Sequence, residues 1–203
     1  MNNSRCTEVE AGLGKIQSEH WLNVIKGKSS TGWYRGQWSG VHRHGYGYMK
    51  YNSGVEYEGE WRKDVRNGFG RLTGLRIEYR GDWKDDKRSG FGIQHWSRGK
   101  MVEYQGEWVN GKRKGWGRAK YRDGERFEGQ WRAGGREGLG ISIYPDGSVY
   151  EGEWKNDEKH GQGRFISALG TIQDGEWRNN IAVRSTILIK KDIQQDLKDP
   201  LCT

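Results

Sequence analysis

The sequence predicts an all-β protein: an elongated, single-layer antiparallel sheet of stacked hairpins, a solenoid-like ribbon with an irregular N-terminal cap and a short C-terminal helix. Three observations predict it. The pattern Tyr-x-Gly-x-Trp recurs with a period near 23 residues, a Gly-x-Gly follows each of the first six tryptophans at a fixed distance, and polarity around both alternates with a period of two.

Composition at first points elsewhere. Of the 203 residues only 34 are Leu, Ile, Val or Phe, and the net charge is +8, a combination typical of disordered chains. The 11 Trp and 10 Tyr argue against disorder, because aromatic rings bury the most area per residue. Thirty-three glycines take the place of much aliphatic filling. No apolar run approaches the ~18 residues of a membrane-spanning helix, and the N-terminus lacks a basic start leading into an apolar stretch. Cys6 and Cys202 lie near opposite ends without a CxxC pair, which suits a reducing compartment. The expectation is a cytoplasmic protein.

The elements follow in chain order. Residues 1–32, with Ile16, Trp21, Leu22 and Ile25, are expected to cap the first hairpin. Residues 33–184 hold the array. Its pattern begins at Tyr34, Gly36 and Trp38 and continues at Tyr57, Gly59 and Trp61, at Tyr79, Gly81 and Trp83, and at Tyr104, Gly106 and Trp108. Phe127, Gly129 and Trp131 form a conservative variant, Tyr150, Gly152 and Trp154 a full copy, and Gln173 to Trp177 a degraded seventh copy. Seven residues after each of the first six tryptophans comes a glycine pair, for example Gly68 with Gly70 and Gly115 with Gly117. These glycines are read as structural parts of the repeat, which remove Cβ atoms opposite the rings. The tryptophans are spaced by 23, 22, 25, 23, 23 and 23 residues, so the Trp-to-Gly hairpin is rigid and the connection to the next repeat absorbs the insertions. In the strand that ends at Trp61, Tyr57, Gly59 and Trp61 share one face, and Glu56, Glu58 and Glu60 the other. Turn signals at 52–54, 122–124 and 145–147, each ending in Gly, close the units. Residues 185–203 are expected to form the closing cap: Ile189, Ile193 and Leu197 stand at i, i+4, i+8, the spacing of a short amphipathic helix.

The pattern of Tyr-x-Gly-x-Trp with Gly-x-Gly seven residues on resembles the MORN repeat (membrane occupation and recognition nexus), over about residues 33–184. More narrowly, residues 87–94 and 115–118 are similar to the small stand-alone MORN proteins of cilia and sperm. The resemblance implies a stack of hairpins that serves cytoskeletal and axonemal assemblies as spacer or clamp. A lone hairpin is marginal in water, so each unit must lean on its neighbours.

Charge is distributed unevenly. The six-residue tips between each Trp and the following Gly carry +1, +2, +1, +3, +1 and 0, the whole net charge of the chain. In a stacked array these tips form one border, expected to be densest around Arg62, Lys63, Arg66, Lys112, Arg113 and Lys114. Two readings stand side by side: solvated tips that blunt the sheet edge, or a docking strip for anionic lipid head groups or for the acidic surface of a tubulin lattice. Nucleic acid is the weakest candidate, since no recognisable binding motif is present.

No catalytic constellation emerges, and the chain is read as a non-enzyme. None of the glycine pairs continues as Gly-x-Gly-x-x-Gly and no GxxxxGK[ST] occurs, so no nucleotide or other cofactor is expected. His42 and His44 lack further metal ligands. Glu58, Glu60, Glu107, Glu151 and Glu153 recur with the sheet and are read as part of it. The functional expectation is a scaffold whose ring-and-glycine face offers a groove to a protein partner, lined by Tyr51, Trp96, Tyr121 and Tyr144. The competing reading is that these four rings are packed like the rest. A peripheral membrane module acting through the basic tips is the alternative function, and self-association through sheet edges a third.

Overall fold

The computed structural model describes residues 25–29 and 31–189. The proposed N-terminal cap at Ile16, Trp21 and Leu22 lies outside the described residues, as does the proposed helix at 190–199. Fifteen strands and no helix occur among the described residues, in two compact units. In each unit strand order follows chain order and neighbours run antiparallel, giving an open sheet of stacked hairpins. The predicted fold class holds at this level.

The first unit contains β1 (Ile25–Ser29), β2 (Gly32–Ser39), β3 (His42–Tyr51), β4 (Glu56–Arg62), β5 (Val65–Gly74), β6 (Ile77–Lys84) and β7 (Lys87–Trp96), together with Trp108–Gly111. β8 (Met101–Val109) gives its residues up to Glu107 to the second unit. The second unit continues with β9 (Lys112–Tyr121), β10 (Arg126–Arg132), β11 (Gly135–Ile143), β12 (Val149–Lys155), β13 (Glu158–Ile166), β14 (Ile172–Arg178) and β15 (Ile181–Leu188).

Two differences from the sequence reading appear at the ends. Residues 25–29, placed within an irregular cap, form β1 and pair with β2. Residues 185–188, placed within the closing cap 185–203, belong to β15, which pairs with β14 from Leu188 to Ile181. The stretch Ile181-Ala-Val-Arg-Ser-Thr-Ile-Leu188 is rich in β-branched side chains, and these favour the pleated surface over a helix.

Hairpin tips are two-residue loops. In β4–β5, Arg62 pairs with Val65, leaving Lys63 and Asp64 with φ of 49° and 69°. Two successive positive φ values define a type I′ turn, whose twist matches that of the strands. Asp85/Asp86, Asn110/Gly111, Ala133/Gly134, Asn156/Asp157 and Asn179/Asn180 repeat it, including the tip of the degraded seventh copy. Behind the tip the returning strand bulges: between the pairs Gly59–Gly70 and Trp61–Arg66 the three residues Asn67 to Phe69 stand opposite Glu60 alone. The bulge leaves the first glycine of the returning pair in the left-handed region; Gly68 has φ of 76°, which a side chain resists.

The turns between hairpins end in glycine as expected. Gly54, Gly124, Gly147 and Gly170 have φ between 83° and 98°, and Tyr51, Tyr121, Tyr144 and Ser167 each accept a hydrogen bond from that glycine. Between the second and third copies the pairing of Gly74 with Ile77 leaves only a two-residue loop, the source of the shortened 22-residue step.

The core lies on one face of each sheet. Tyr57, Tyr79, Tyr104, Phe127 and Tyr150 are fully buried there, with Trp61, Trp83, Trp108, Trp131, Trp154 and Trp177 beside them. Glycine makes room for the rings. A Cβ on Gly70 would sit 2.2 Å from the Tyr57 hydroxyl, well inside van der Waals contact. In the second unit Gly117 occupies the equivalent place on β9: it is buried, pairs directly with Gly129 of β10, and a Cβ on it would lie 2.4 Å from the Tyr104 hydroxyl. Gly117 is thereby a floor for the Tyr104 ring and exposes no surface to a partner.

Candidate functional site

The rings form a ladder of edge-to-face contacts. Tyr34, Tyr57, Tyr79 and Tyr150 each meet the tryptophan of their own repeat and that of the next: Tyr57 lies 5.1 Å from Trp61 and 5.5 Å from Trp83, at 89° and 88°. In the second unit Phe127 does the same with Trp131 and Trp154. Pairs of this geometry contribute roughly 0.5–1.5 kcal/mol beyond their area burial. Every polar atom of the ladder is satisfied from the backbone. Each Tyr hydroxyl in Tyr34, Tyr57, Tyr79, Tyr104 and Tyr150 donates to the carbonyl three residues on. Each Trp Nε1 donates to the second glycine of the preceding copy, as Trp83 does to Gly70 at 3.2 Å, Trp131 to Gly117 at 3.1 Å and Trp177 to Gly163 at 2.9 Å. Desolvation raises the phenol pKa of Tyr57, Tyr79, Tyr104 and Tyr150 and pushes that of Tyr34 up to about 12.

A cation covers each rung. The fifth residue after Trp is Arg43, Arg66, Arg88, Arg113, Arg136 or Lys159. The guanidiniums stand over the next copy's indole: Arg43 over Trp61 at 4.3 Å, Arg66 over Trp83 at 4.2 Å, Arg88 over Trp108 at 4.3 Å and Arg136 over Trp154 at 4.0 Å. Arg113 over Trp131 and Lys159 over Trp177 are looser, at 4.6 and 5.1 Å. Each arginine also grips the left-handed residue of the next tip. Arg66 donates through its backbone N–H and Nε to the Asp86 carboxylate, and through Nη2 to the Asp86 carbonyl. Arg43 does the same with Asp64, while Arg88 and Arg113 reach the carbonyls of Gly111 and Gly134. The contact therefore combines cation–π attraction with charge-assisted hydrogen bonds.

This placement corrects the expected basic edge. Arg66 and Arg113 are half-buried on the ring face, and the desolvation of Arg113 lowers its pKa. The six cations of this row are six of the fourteen basic residues that, set against six acidic ones, give the tips their net charge of +8. Arg62, Lys63, Lys112 and Lys114 are exposed, although Arg62 pairs with Asp85 at 3.4 Å.

The four rings expected to line a groove lie on the same covered face. Tyr121 is buried, with Arg136 over it at 5.7 Å and Lys100 at 5.8 Å, and burial pushes its phenol up to about 12. Tyr144 is half-buried beneath Lys159 at 4.9 Å. Tyr51 and Trp96 are half-buried too. Beside Tyr121 the guanidinium of Arg136 donates to the buried Glu125 at 2.6 Å, and Glu125 accepts from the Ser142 hydroxyl at 2.7 Å.

The recurring carboxylates hold the bulge. The residue between Gly and Trp is Gln37, Glu60, Asp82, Glu107, Gln130 or Glu153, and its side chain accepts the backbone N–H between the two returning glycines. Glu58 accepts from the Tyr46 hydroxyl, and Glu151 is exposed. His42 is committed to Asp64 at 2.5 Å. Among the described residues no group of three or more His, Cys, Asp or Glu side chains is arranged to hold a metal ion.

Open apolar surface lies on the opposite face. In the second unit Trp116, Leu139 and Ile141 are 54%, 57% and 39% exposed. Trp116 and Leu139 occupy the middle position of Gly-x-Gly, to which the sequence reading assigned no role, although five of its six residues in the chain are apolar.

The MORN repeat family profile matches residues 34–56, 57–74, 79–101, 104–126, 127–149 and 150–171, more than half of the chain, and the chain belongs to that family. Families of this repeat are generally non-enzymatic and supply repeat scaffolds or membrane-binding modules. The seventh copy falls outside the profile, yet its Trp177 is buried and bonded like the others. No curated protein matches the chain in sequence. Among solved structures, the TCP domain of Drosophila melanogaster SAS-4, in complex with a proline-rich motif of Ana2, is similar with a TM-score of 0.42 and 10% identity over 86% of this chain and 95% of that one. The TCP10 domain of Danio rerio CPAP, in complex with a peptide of Danio rerio STIL, is similar with a TM-score of 0.24 and 10% identity over 81% and 99%.

Proposed function

As a reading of this member of the MORN repeat family, we propose a non-catalytic scaffold of the small stand-alone type that binds protein partners in a cytoskeletal assembly, the axoneme of a cilium or flagellum. The observation that supports it is the exposure of Trp116, Leu139 and Ile141 on the face opposite the packed rings. Large exposed side chains grouped on one face cost solubility and are typical of contact sites. The ring face offers less, because its aromatics are already covered by arginine. The lipid-binding alternative loses Arg66 and Arg113 from its basic edge and keeps Arg62, Lys63, Lys112 and Lys114.

The test is co-sedimentation of the full chain with demembranated axonemes and, in parallel, with phosphatidylserine vesicles near physiological salt. The reading expects sedimentation with axonemes that Trp116→Ser/Leu139→Ser abolishes and Arg62→Glu/Lys112→Glu leaves within about twofold. Sedimentation with vesicles and not with axonemes overturns it.

A further inference from the structure

The sixth cation of the row has surroundings of its own. Lys159 Nζ lies 4.9, 5.1, 4.8 and 5.1 Å from the ring centres of Tyr144, Tyr150, Phe165 and Trp177. Arg136, by contrast, stands close over one indole, 4.0 Å from Trp154, whereas the lysine is centred among four rings. Those rings also touch one another: Tyr144 meets Phe165 at 6.4 Å, Phe165 meets Trp177 at 6.3 Å, and Trp177 meets Tyr150 at 5.2 Å. All five residues belong to the second unit.

The copies differ in what faces the cation. The residue two places after the second returning glycine is an acceptor in two of them: Gln94 accepts from Arg88, and the Ser142 hydroxyl from Arg136 at 3.4 Å. In the sixth copy this place holds Phe165, a ring in place of an acceptor. The next tip changes in the same sense. Arg136 pairs with the Asp157 carboxylate at 3.4 Å, but the corresponding residue for Lys159 is Asn180, whose side-chain oxygen accepts the backbone N–H of Lys159. Among the described residues the half-buried Lys159 ammonium has no hydrogen-bond acceptor and no ion-pair partner. An ammonium carries three N–H donors, and donors withdrawn from water without acceptors are costly. Ring faces attract the charge and leave the donors unmet.

Four ring faces around a positive charge without acceptors suit a cation whose donors have been replaced by methyl groups, the chemistry that aromatic cages recognise. We infer that Lys159 is an N-methylation site, and that Tyr144, Tyr150, Phe165 and Trp177 hold its trimethylammonium form. Each transfer joins the neutral Nζ to the methyl carbon of a sulfonium donor carried by a separate transferase. Before each attack a proton passes from nitrogen to water; the N–C bond then forms as the C–S bond breaks, and the sulfur keeps the electron pair and leaves as a thioether. Three transfers preserve the charge and remove every donor. Burial lowers the Lys159 pKa and so enlarges the neutral fraction that attacks, while the part of the side chain left in water gives the transferase access. The site lies on the ring face, away from Trp116 and Leu139, so the inference goes beyond the scaffold reading and is tested separately from it.

Tandem mass spectrometry of the full chain isolated from the cells that express it is expected to find methyl groups on Lys159; an unmethylated Lys159 overturns the inference. The fit of the cage is measured without the transferase. In the full chain with Cys6→Ser and Cys202→Ser, Lys159→Cys is alkylated while unfolded with bromoethyl-trimethylammonium and refolded, which puts a trimethylammonium at the end of a side chain of lysine length. Its N-methyl proton signal is expected upfield of its position in the urea-unfolded chain, shifted by the surrounding rings, and Phe165→Ser is expected to reduce that shift while the amides of β9 to β11 keep theirs. A methyl signal at the unfolded position in the refolded chain, or a shift that Phe165→Ser leaves unchanged, overturns the inference.

Discussion

The two faces of the same strands obey different rules. On the ring face each of the first six copies repeats the same residue classes: an aromatic, two glycines that accommodate it, a tryptophan, and a cation five residues later. Across the sheet the residue between the glycines is Tyr46, Phe69, Phe91, Trp116, Leu139 and Gln162 in turn. The difference shows where the array stores its stability. A single-layer sheet has no second layer to cover its apolar side, so the ring face must close itself, and arginine does this because its planar head stacks on indole while its donors reach the next tip. The opposite face owes nothing to that ladder and is free to carry surface for other contacts.

Breaking the ladder should produce the largest effect. Trp83→Ala removes the contacts with Tyr57 and Arg66, and should cost ~3–5 kcal/mol locally, whereas Leu139→Ser on the open face should stay within about 0.5 kcal/mol. Amide exchange in β5 and β6 reads the first and β11 the second; comparable losses would erase the distinction between the faces. Local exchange is the suitable observable because a repeat array need not unfold in one step.

Next in size is Gly70→Ala. Its new methyl meets the Tyr57 ring and hydroxyl within 2.2–2.6 Å, an overpacking that costs about 1–3 kcal/mol and should appear as faster exchange at Trp61 and Trp83. Smaller again is the cation row. Arg66→Met should lose on the order of 1 kcal/mol, while Arg62→Met, whose Asp85 partner is exposed, should lose close to nothing. Urea titration of the two variants side by side sharpens the difference between a packed and a solvated tip cation.

Titration separates the faces in another way. The raised phenols of Tyr34, Tyr57, Tyr79, Tyr104 and Tyr150 are neutral in the fold and ionise near 10 when unfolded. Their contribution is complete below pH 10 and is lost as pH rises toward 12, which circular dichroism on alkaline titration should follow. Asp64, held at about 2 first by its hydrogen bond with His42 and then by Arg43, acts in the opposite direction. Its stabilisation is complete above the unfolded carboxylate range near pH 4 and disappears as pH falls toward 2. Asp64→Asn should flatten that part of the acid transition, the smallest effect of the set.

How far the sequence foretold this can be judged residue by residue. The shared face of Tyr57, Gly59 and Trp61, the glycine turns and the fixed Trp-to-Gly hairpin were legible because period-two alternation and glycine placement are local signals. The cation row was equally visible as Arg43, Arg66, Arg88, Arg113, Arg136 and Lys159, but summing charge over each tip erased position, and position decides whether an arginine stacks or solvates. The exposure of Trp116 and Leu139 was not legible from the period, because the residue between the two glycines varies from copy to copy while the glycines recur. The capping segment expected from residue 185 onward begins too early, since residues 185–188 continue the β-branched run that pairs with β14. Comparing the copies with one another, column by column, was the reading that could have found the cations and the carboxylate clamps.

Oxidative footprinting of tryptophan in the full chain, read by mass spectrometry, tests most directly whether the ring face is closed. The account predicts rapid modification of Trp33 and Trp116, on the open face, with Trp61, Trp83, Trp108, Trp131, Trp154 and Trp177 protected until the sheet unfolds. Modification of those six at the rate of Trp116 would contradict it.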